Sequence, residues 1–109
     1  MKAAVFYGKK NVKVKDVPEP IISNKYDVKI KVSWCGICGS DMEEYLYGPI
    51  VMPTKPHPLT NEKIPLIIGH EFCGEVVSVG DFVPNVNIGD KVVAYPVLSC
   101  GSCYWCKQN

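Results

Sequence analysis

The sequence predicts a mainly β protein, an irregular and mostly antiparallel barrel or sandwich with one short helix and a cysteine-rich lobe. Three observations lead to this prediction. Several short segments alternate apolar with polar residues and are rich in β-branched side chains, as half-buried strands are. Five of the nine prolines fall between residues 48 and 65, which excludes continuous helix or central strand there. Three of the six cysteines lie together after the last predicted strand.

The predicted strands are short, and the clearest covers Val28–Trp34. In that segment alternate residues share a face, so one face is apolar (Val28, Ile30, Val32, Trp34) and the other polar (Lys29, Lys31, Ser33). A half-buried antiparallel strand is therefore expected. The other predicted strands are Ala3–Tyr7, Val12–Val17, Gly74–Val79 and Lys91–Tyr95.

One helix is predicted after the third strand, over Ser40–Tyr47. The Ser40 hydroxyl is expected to cap its first turn, and Gly48 with Pro49 is expected to end it. Cys38 then lies just before a helix N-terminus, where a thiolate is favoured. The proline-rich segment Gly48–Pro65 is predicted to be a long surface loop.

Length and composition limit the classes of protein. A chain of 109 residues suits one domain, and 47% apolar residues with a net charge of +1 indicate neither disorder nor a polyanion-binding surface. Nucleic acid and membranes are therefore not expected as partners. No apolar run approaches the roughly 20 residues of a membrane span, and the N-terminus lacks a signal-peptide pattern. We expect a cytoplasmic protein whose cysteines serve metal binding or redox chemistry rather than disulfides.

A first candidate site combines distant parts of the sequence. Cys38 lies 32 positions before His70, which Glu71 follows directly. Thiolate, imidazole and carboxylate are zinc ligands, and a catalytic zinc keeps one position open. Asp41 could accept the second imidazole N–H, and Ser40 could pass on a proton. A structural histidine and a small buried cysteine are the ordinary alternatives, and spacing alone does not decide between them.

A second candidate site is the run Cys100, Cys103 and Cys106, with two residues in each gap. Structural zinc is normally held by four protein ligands in tetrahedral geometry. Three cysteines this close to Asn109 leave one ligand unaccounted for. The sequence is therefore expected to be a fragment of a longer protein.

Four motifs follow one another along the chain in a characteristic order: Cys38-Gly39-Ser40-Asp41, Gly69-His70-Glu71 with Gly74 and Gly80 behind it, Gly89-Asp90-Lys91-Val92, and the cysteine run. In order and spacing they resemble the zinc-containing medium-chain alcohol dehydrogenases. The resemblance covers essentially the whole chain and matches the N-terminal, GroES-like catalytic domain of that family. The opening residues, the WCGICGSD segment and the loop after the helix look most like 2,3-butanediol dehydrogenases, and next like sorbitol and other polyol dehydrogenases.

The resemblance implies two zinc sites. Cys38 and His70 would be ligands of a catalytic zinc, and Glu71 a neighbouring carboxylate able to approach it. The ligands of a structural zinc would be Cys100, Cys103 and Cys106. The third catalytic ligand, a Glu or Cys, and the fourth structural cysteine would lie beyond Asn109.

The resemblance also implies a proton relay. Ser40 would be its hydroxyl, and Asp41 the partner that orients His70. Many relatives have a histidine as the outer station, where this chain has Glu43. A carboxylate can still exchange protons, although its pKa and reach differ from those of histidine.

The function implied for a full-length parent is hydride transfer between a secondary alcohol, diol or polyol and NAD(P). Zinc would act as a Lewis acid on the substrate oxygen. We expect residues 1–109 to be a truncated GroES-like catalytic domain, with the Rossmann cofactor domain absent, since no βαβ unit is predicted and Gly36 with Gly39 is not followed by the third glycine of G-x-G-x-x-G. The fragment alone is expected to be inactive. The parent is expected to form a homo-oligomer, a dimer or tetramer.

Two other classes of protein compete with this interpretation. A zinc-ribbon-like module would use Cys35, Cys38, Cys100 and Cys103 as paired C-x-x-C ligands, although 61 residues between the pairs are many for a ribbon. A metal-free β module would bind a partner without catalysis. In the dehydrogenase interpretation, Cys35 and Cys73 are expected to pack rather than bind metal.

Overall fold

A computed structural model describes residues 1–108. Its elements, in chain order, are β1 (Lys2–Gly8), β2 (Asn11–Asp16), β3 (Val28–Cys35), α1 (Gly39–Tyr47), β4 (Leu66–Ile67), β5 (Phe72–Val79), β6 (Lys91–Val93) and α2 (Tyr104–Gln108). Within residues 1–108, no helix is both long enough and apolar enough to span a membrane.

The strands form two antiparallel three-stranded sheets, one in the order β2-β1-β4 and the other in the order β3-β5-β6. Both sheets are open in the described part of the chain. The predicted mainly β, partly open antiparallel fold is confirmed. The five predicted strands are present with ends that differ by one or two residues, and the loop after α1 is free of helix and strand from residue 48 to 65. The short β4 and α2 were not predicted.

The buried core is small. Phe6 of β1 and Val76 of β5 are almost fully buried, with exposed fractions of 1% and 0%, and Val5 of β1 is 7% exposed. The prediction that the apolar face of β3 is half-buried holds only for its first half. Val32 and Trp34 are 53% and 78% exposed. Alternation shows which side chains share a face, whereas burial also needs a covering layer, and residues 1–108 cover only the start of this strand.

The close pairing of β3 with β5 positions the candidate site. A Cβ atom at Gly74 of β5 would overlap the carbonyl oxygen of Lys31, so only glycine allows the two backbones to approach this closely. The register continues to the strand ends, where Cys35 faces Phe72. The segment that leaves β3 therefore runs beside the segment that enters β5.

The helix α1 begins one residue earlier than predicted, at Gly39, and Cys38 rather than Ser40 is its N-cap. The reason is Asp41, in the first turn of α1. Its Oδ2 accepts the backbone N–H of Cys38 at 2.9 Å and so caps the helix at Cys38. The far end of α1 is tied to the β1–β2 turn, because the Lys10 N–H donates to the Tyr45 carbonyl at 2.7 Å.

Glu44 of α1 anchors the proline-rich loop. Its side chain is buried, and its carboxylate accepts the backbone N–H groups of Ile50, Val51 and Met52. Burial alone would raise the pKa of Glu44, but these three donors outweigh it and hold the pKa below its usual value. The carboxylate thus stays charged and fixes the start of the loop on the helix.

Candidate metal centres

The first candidate centre forms where β3 ends and β5 begins. Beyond the last strand pair, the Gly36 N–H donates to the Glu71 carbonyl at 2.6 Å, which extends the ladder by one bond. This bond brings residues 36–38 beside residues 69–71, although they are far apart in sequence. Gly69, with φ of +107°, makes the bend that leads into His70.

Cys38, His70 and Glu71 meet at this point. One potential ligand atom from each side chain lies within 4.8 Å of the other two. Cys38 and His70 are half-buried, and Glu71 is exposed. A soft thiolate, an imidazole and a carboxylate are the donor set of a zinc site, so the residues present fit that ion.

Asp41 contacts both Cys38 and His70. Its Oδ2 accepts the Cys38 N–H, and its Oδ1 lies 3.5 Å from Nδ1 of His70. The Asp41 side chain is only 10% exposed, so the carboxylate stands between the helix start and the imidazole rather than in solvent. One carboxylate therefore holds the backbone of Cys38 and faces the imidazole of His70.

The thiol and the imidazole shift each other's protonation. Hydrogen bonds from the hydroxyl and N–H of Ser40, and from His70, lower the pKa of Cys38. The hydrogen bond to Cys38 and the charge of Asp41 raise the pKa of His70 against the effect of its partial burial. The metal-free pair thus favours a thiolate beside an imidazolium, a state that a cation would replace by displacing the proton.

The remaining predicted site residues of α1 lie outside this cluster. Ser40 is exposed at the first turn of α1, adjacent to Cys38 through its hydrogen bonds. Glu43 is exposed further along the helix and does not belong to the group formed by Cys38, His70 and Glu71.

A shallow apolar cleft adjoins the cluster. It has a volume of about 530 Å³, and its wall includes His70 and Glu71 together with the apolar side chains of Trp34, Phe72 and Val93. A small molecule in this cleft would have the clustered donors at one end and apolar contacts along its sides.

The second candidate centre is formed by Cys100, Cys103 and Cys106 around the start of α2. The sulfur of Cys106 lies 3.7 Å from that of Cys100 and 3.5 Å from that of Cys103. Two thiolates bound to one tetrahedral zinc at about 2.3 Å are roughly 3.8 Å apart, so the spacing fits this ion. The N–H groups of Ser102 and Cys103 point at the Cys100 sulfur and lower the pKa of that thiol to about 6.

The other cysteines belong to neither group. All six cysteines are free thiols, and the two clusters divide four of them between separate sites. The zinc-ribbon alternative needs Cys35 and Cys38 to share a site with Cys100 and Cys103, an arrangement that is not found among residues 1–108. Cys73 is half-buried in β5, whereas Cys35, expected to pack, is exposed because it lies at the open end of β3.

Two close contacts of the fold were not predicted from sequence. Gly36 accommodates Glu71 at close range, and Glu44 fixes the loop after α1. The C-G-I-C spacing is a pattern of cysteines, and it does not indicate that the glycine between them is needed for close packing. A helical glutamate gave no signal of burial, because its loop partners are backbone groups.

Comparison with known proteins agrees with this fold. Residues 24–109 match the alcohol dehydrogenase GroES-like domain family. The chain belongs to this family, within the zinc-type medium-chain alcohol dehydrogenases.

Among individual relatives, (R,R)-butanediol dehydrogenase of Bacillus subtilis is 53% identical over 100 residues, which cover 91% of this chain and 29% of that protein. Sorbitol dehydrogenase of the same organism is 41% identical over 109 residues, covering 100% of this chain and 29% of the relative. The crystal structure of 2R,3R-butanediol dehydrogenase from Bacillus subtilis superposes with a TM-score of 0.79 at 55% identity, over 84% of this chain and 26% of that one. The chain thus spans less than a third of the length of these relatives.

Proposed function

We propose that this chain is the N-terminal catalytic domain of a zinc-dependent dehydrogenase that transfers hydride between a secondary alcohol or diol and NAD(P). The observation that carries the proposal is the convergence of Cys38, His70 and Glu71 beside an apolar cleft. The similarity to butanediol and sorbitol dehydrogenases supports a diol or polyol as substrate.

In this proposal Cys38 and His70 hold the catalytic zinc, and Glu71 is a carboxylate near enough to approach it. When bound, zinc supplies Lewis acidity toward the substrate oxygen. Asp41 keeps a proton on Nδ1 of His70, so that Nε2 is free to bind the metal. The lowered pKa of Cys38 provides the thiolate that a soft cation requires.

Proton transfer is assigned to α1. The Ser40 hydroxyl lies next to the metal cluster and at the surface, so it can pass a proton between a bound alcohol and solvent. Glu43 is the next titratable group along the exposed part of the helix and is the proposed outer acceptor. It replaces the histidine that many relatives have there.

The cysteine lobe is assigned to a structural zinc bound by Cys100, Cys103 and Cys106. The nicotinamide cofactor is assigned to a Rossmann domain of the longer protein, because the strand pairs within residues 1–108 are all antiparallel and form no parallel strand–helix–strand unit for a dinucleotide. We therefore expect residues 1–109 alone to be inactive. We also infer a cytoplasmic, homo-oligomeric parent protein.

Zinc content per chain tests the metal sites. We expect Cys38→Ser to remove zinc from the first centre and Cys103→Ser to remove it from the lobe, with Cys73→Ser as the matched control that changes neither. A zinc content that stays at the value of the unsubstituted chain in both Cys38→Ser and His70→Ala would contradict the catalytic site. For the reaction, the parent protein is assayed with 2,3-butanediol and sorbitol, and Ser40→Ala should lower kcat by about 10². Turnover by residues 1–109 alone would contradict the assignment of the cofactor to another domain.

A further inference from the structure

Gly36 lies unusually close to the side chain of Glu71. A Cβ atom at Gly36 would be 2.9 Å from Glu71 Oε2 and 3.3 Å from Glu71 Cβ. Carbon atoms normally make contact at about 3.5 to 4.0 Å, so the space that a methyl group needs is already filled. The backbone of Gly36, unlike that of Gly69, does not have the positive φ that favours glycine. The reason for glycine at this position is therefore space alone.

The carboxylate that fills this space belongs to the candidate metal centre formed by Cys38, His70 and Glu71. The Glu71 carboxylate is the group that lies within 4.8 Å of the ligand atoms of Cys38 and His70. Glu71 is exposed and its carboxylate ends a side chain with three rotatable bonds, so a methyl group at Gly36 would move the carboxylate more readily than it would disrupt the strands. The hydrogen bond from the Gly36 N–H to the Glu71 carbonyl keeps the two residues in register. The two segments therefore cannot shift past each other to make room for a methyl group.

We propose that Gly36 is a positioning residue of the metal centre, because its missing side chain leaves the space in which the Glu71 carboxylate reaches Cys38 and His70. This inference rests on the proposed zinc site and adds to it a residue that neither binds the ion nor contacts substrate. Gly36 acts only through Glu71. It follows that its effect on metal binding must vanish when the Glu71 carboxylate is removed.

The chain offers a matched control three residues away. A Cβ atom at Gly39 would meet nothing within 4 Å, and the residue lies in the first turn of α1, where alanine is well tolerated. Gly36→Ala and Gly39→Ala add the same methyl group on either side of Cys38. Only the first should affect Glu71.

The test measures zinc affinity by chelator competition on the full chain, with the three lobe cysteines replaced by serine so that one centre is read. We expect Gly36→Ala and Glu71→Ala each to weaken zinc binding by about 10-fold or more, as loss of a supporting carboxylate does. Gly39→Ala should stay within about twofold. Adding Gly36→Ala to Glu71→Ala should change nothing further.

Two outcomes would overturn the inference: unchanged affinity in Gly36→Ala, or an equal loss when Glu71 is already alanine. Cys38→Ser separates this inference from the proposed function. If Cys38→Ser does not weaken zinc binding, the proposed metal site itself is wrong. If Cys38→Ser weakens binding and Gly36→Ala does not, only the role of Gly36 fails.

A metal-free crystal structure tests whether Gly36 positions the Glu71 carboxylate, independently of zinc binding. In a crystal structure of Gly36→Ala we expect the Glu71 carboxylate to have moved away from Cys38 and His70, with the β3–β5 ladder unchanged. A carboxylate that remains within 4.8 Å of both would overturn the inference. If Gly36→Ala fails to fold, Gly36→Ala with Glu71→Ala should fold again. Failure of the double variant as well would show that the methyl group clashes with the backbone instead.

Discussion

The Asp41 carboxylate lies between the helix start and the imidazole of His70: Oδ1 is 3.5 Å from Nδ1 of His70, and Oδ2 accepts the N–H of Cys38 at 2.9 Å. A single acidic side chain therefore fixes the N-cap of α1 and orients a proposed zinc ligand on another segment. Local helix capping and the geometry of the metal centre depend on the same group.

The first prediction concerns this carboxylate. Asp41→Ala removes both contacts and should weaken zinc binding at the first centre by about 10- to 100-fold. Asp41→Asn keeps an acceptor for the Cys38 N–H and should weaken zinc binding less than Asp41→Ala does. The measurement is chelator competition, with Asp90→Ala as the control. Asp90 accepts the Asn87 N–H at 2.8 Å in a similar turn, and it lies outside the group formed by Cys38, His70 and Glu71. An equal loss of zinc affinity in the Asp41 and Asp90 variants would show that Asp41 acts only through the stability of the fold.

The second prediction concerns Glu44. Truncation to alanine would leave the N–H groups of Ile50, Val51 and Met52 without their acceptor, at a cost of about 3 kcal/mol in the free energy of unfolding. Urea denaturation measures this, and Glu43→Ala, an exposed neighbour on the same helix, should cost less than about 0.5 kcal/mol. A loss below about 1 kcal/mol for Glu44→Ala would mean that water replaces the carboxylate in solution.

Glu44 also gives stability a pH dependence. Its folded pKa lies below the usual value of 4.5, so its contribution is complete above that pH and is lost as the pH falls through the folded value. The stability difference between the chain and its Glu44→Gln variant should therefore narrow on acidification below 4.5. Unfolding curves at a series of pH values measure it. A difference that stays constant into acid would contradict the charged contact.

The third prediction concerns the Cys100 thiol. Its pKa of about 6, lowered by the N–H groups of Ser102 and Cys103, makes it a thiolate at neutral pH in the metal-free chain. Alkylation by iodoacetamide, followed at Cys100 by peptide mass spectrometry, should reach half its maximal rate near pH 6. In urea the midpoint should rise towards that of an ordinary thiol, near 8.5. Identical midpoints in the folded and unfolded chain would show that the folded lobe does not lower the pKa of Cys100.

Much of the fold was predictable because local patterns determine it. Alternation located the strands, and glycine with proline located the end of α1. The helix cap was predicted two residues too late, at Ser40 instead of Cys38, because a serine is the commoner cap and the competing Asp41–Cys38 hydrogen bond depends on three-dimensional geometry. The exposure of Trp34 was missed for a similar reason. Sequence patterns contain no information about which layer covers a strand.

The candidate site was predicted through its motifs, whereas its geometry follows from the register of β3 and β5. Cys38 and His70 come together because Cys35 faces Phe72, a pairing that spacing alone does not specify. Gly36 and Glu44 act through close approach and through backbone donors. Such roles are properties of the folded chain and not of any residue type in a motif.

The pairing of β3 with β5 has a consequence for how the two centres respond to metal loss. A cation held by Cys38 and His70 would tie together positions 32 apart in the chain, so it would act as a cross-link that closes a long excursion. A cation in the lobe would join Cys100 to Cys106 across only six positions. Because the β3–β5 ladder already joins the two ends of that excursion, chelation there should free the ligand side chains and leave the ladder in place, whereas at the lobe it frees the whole turn of chain.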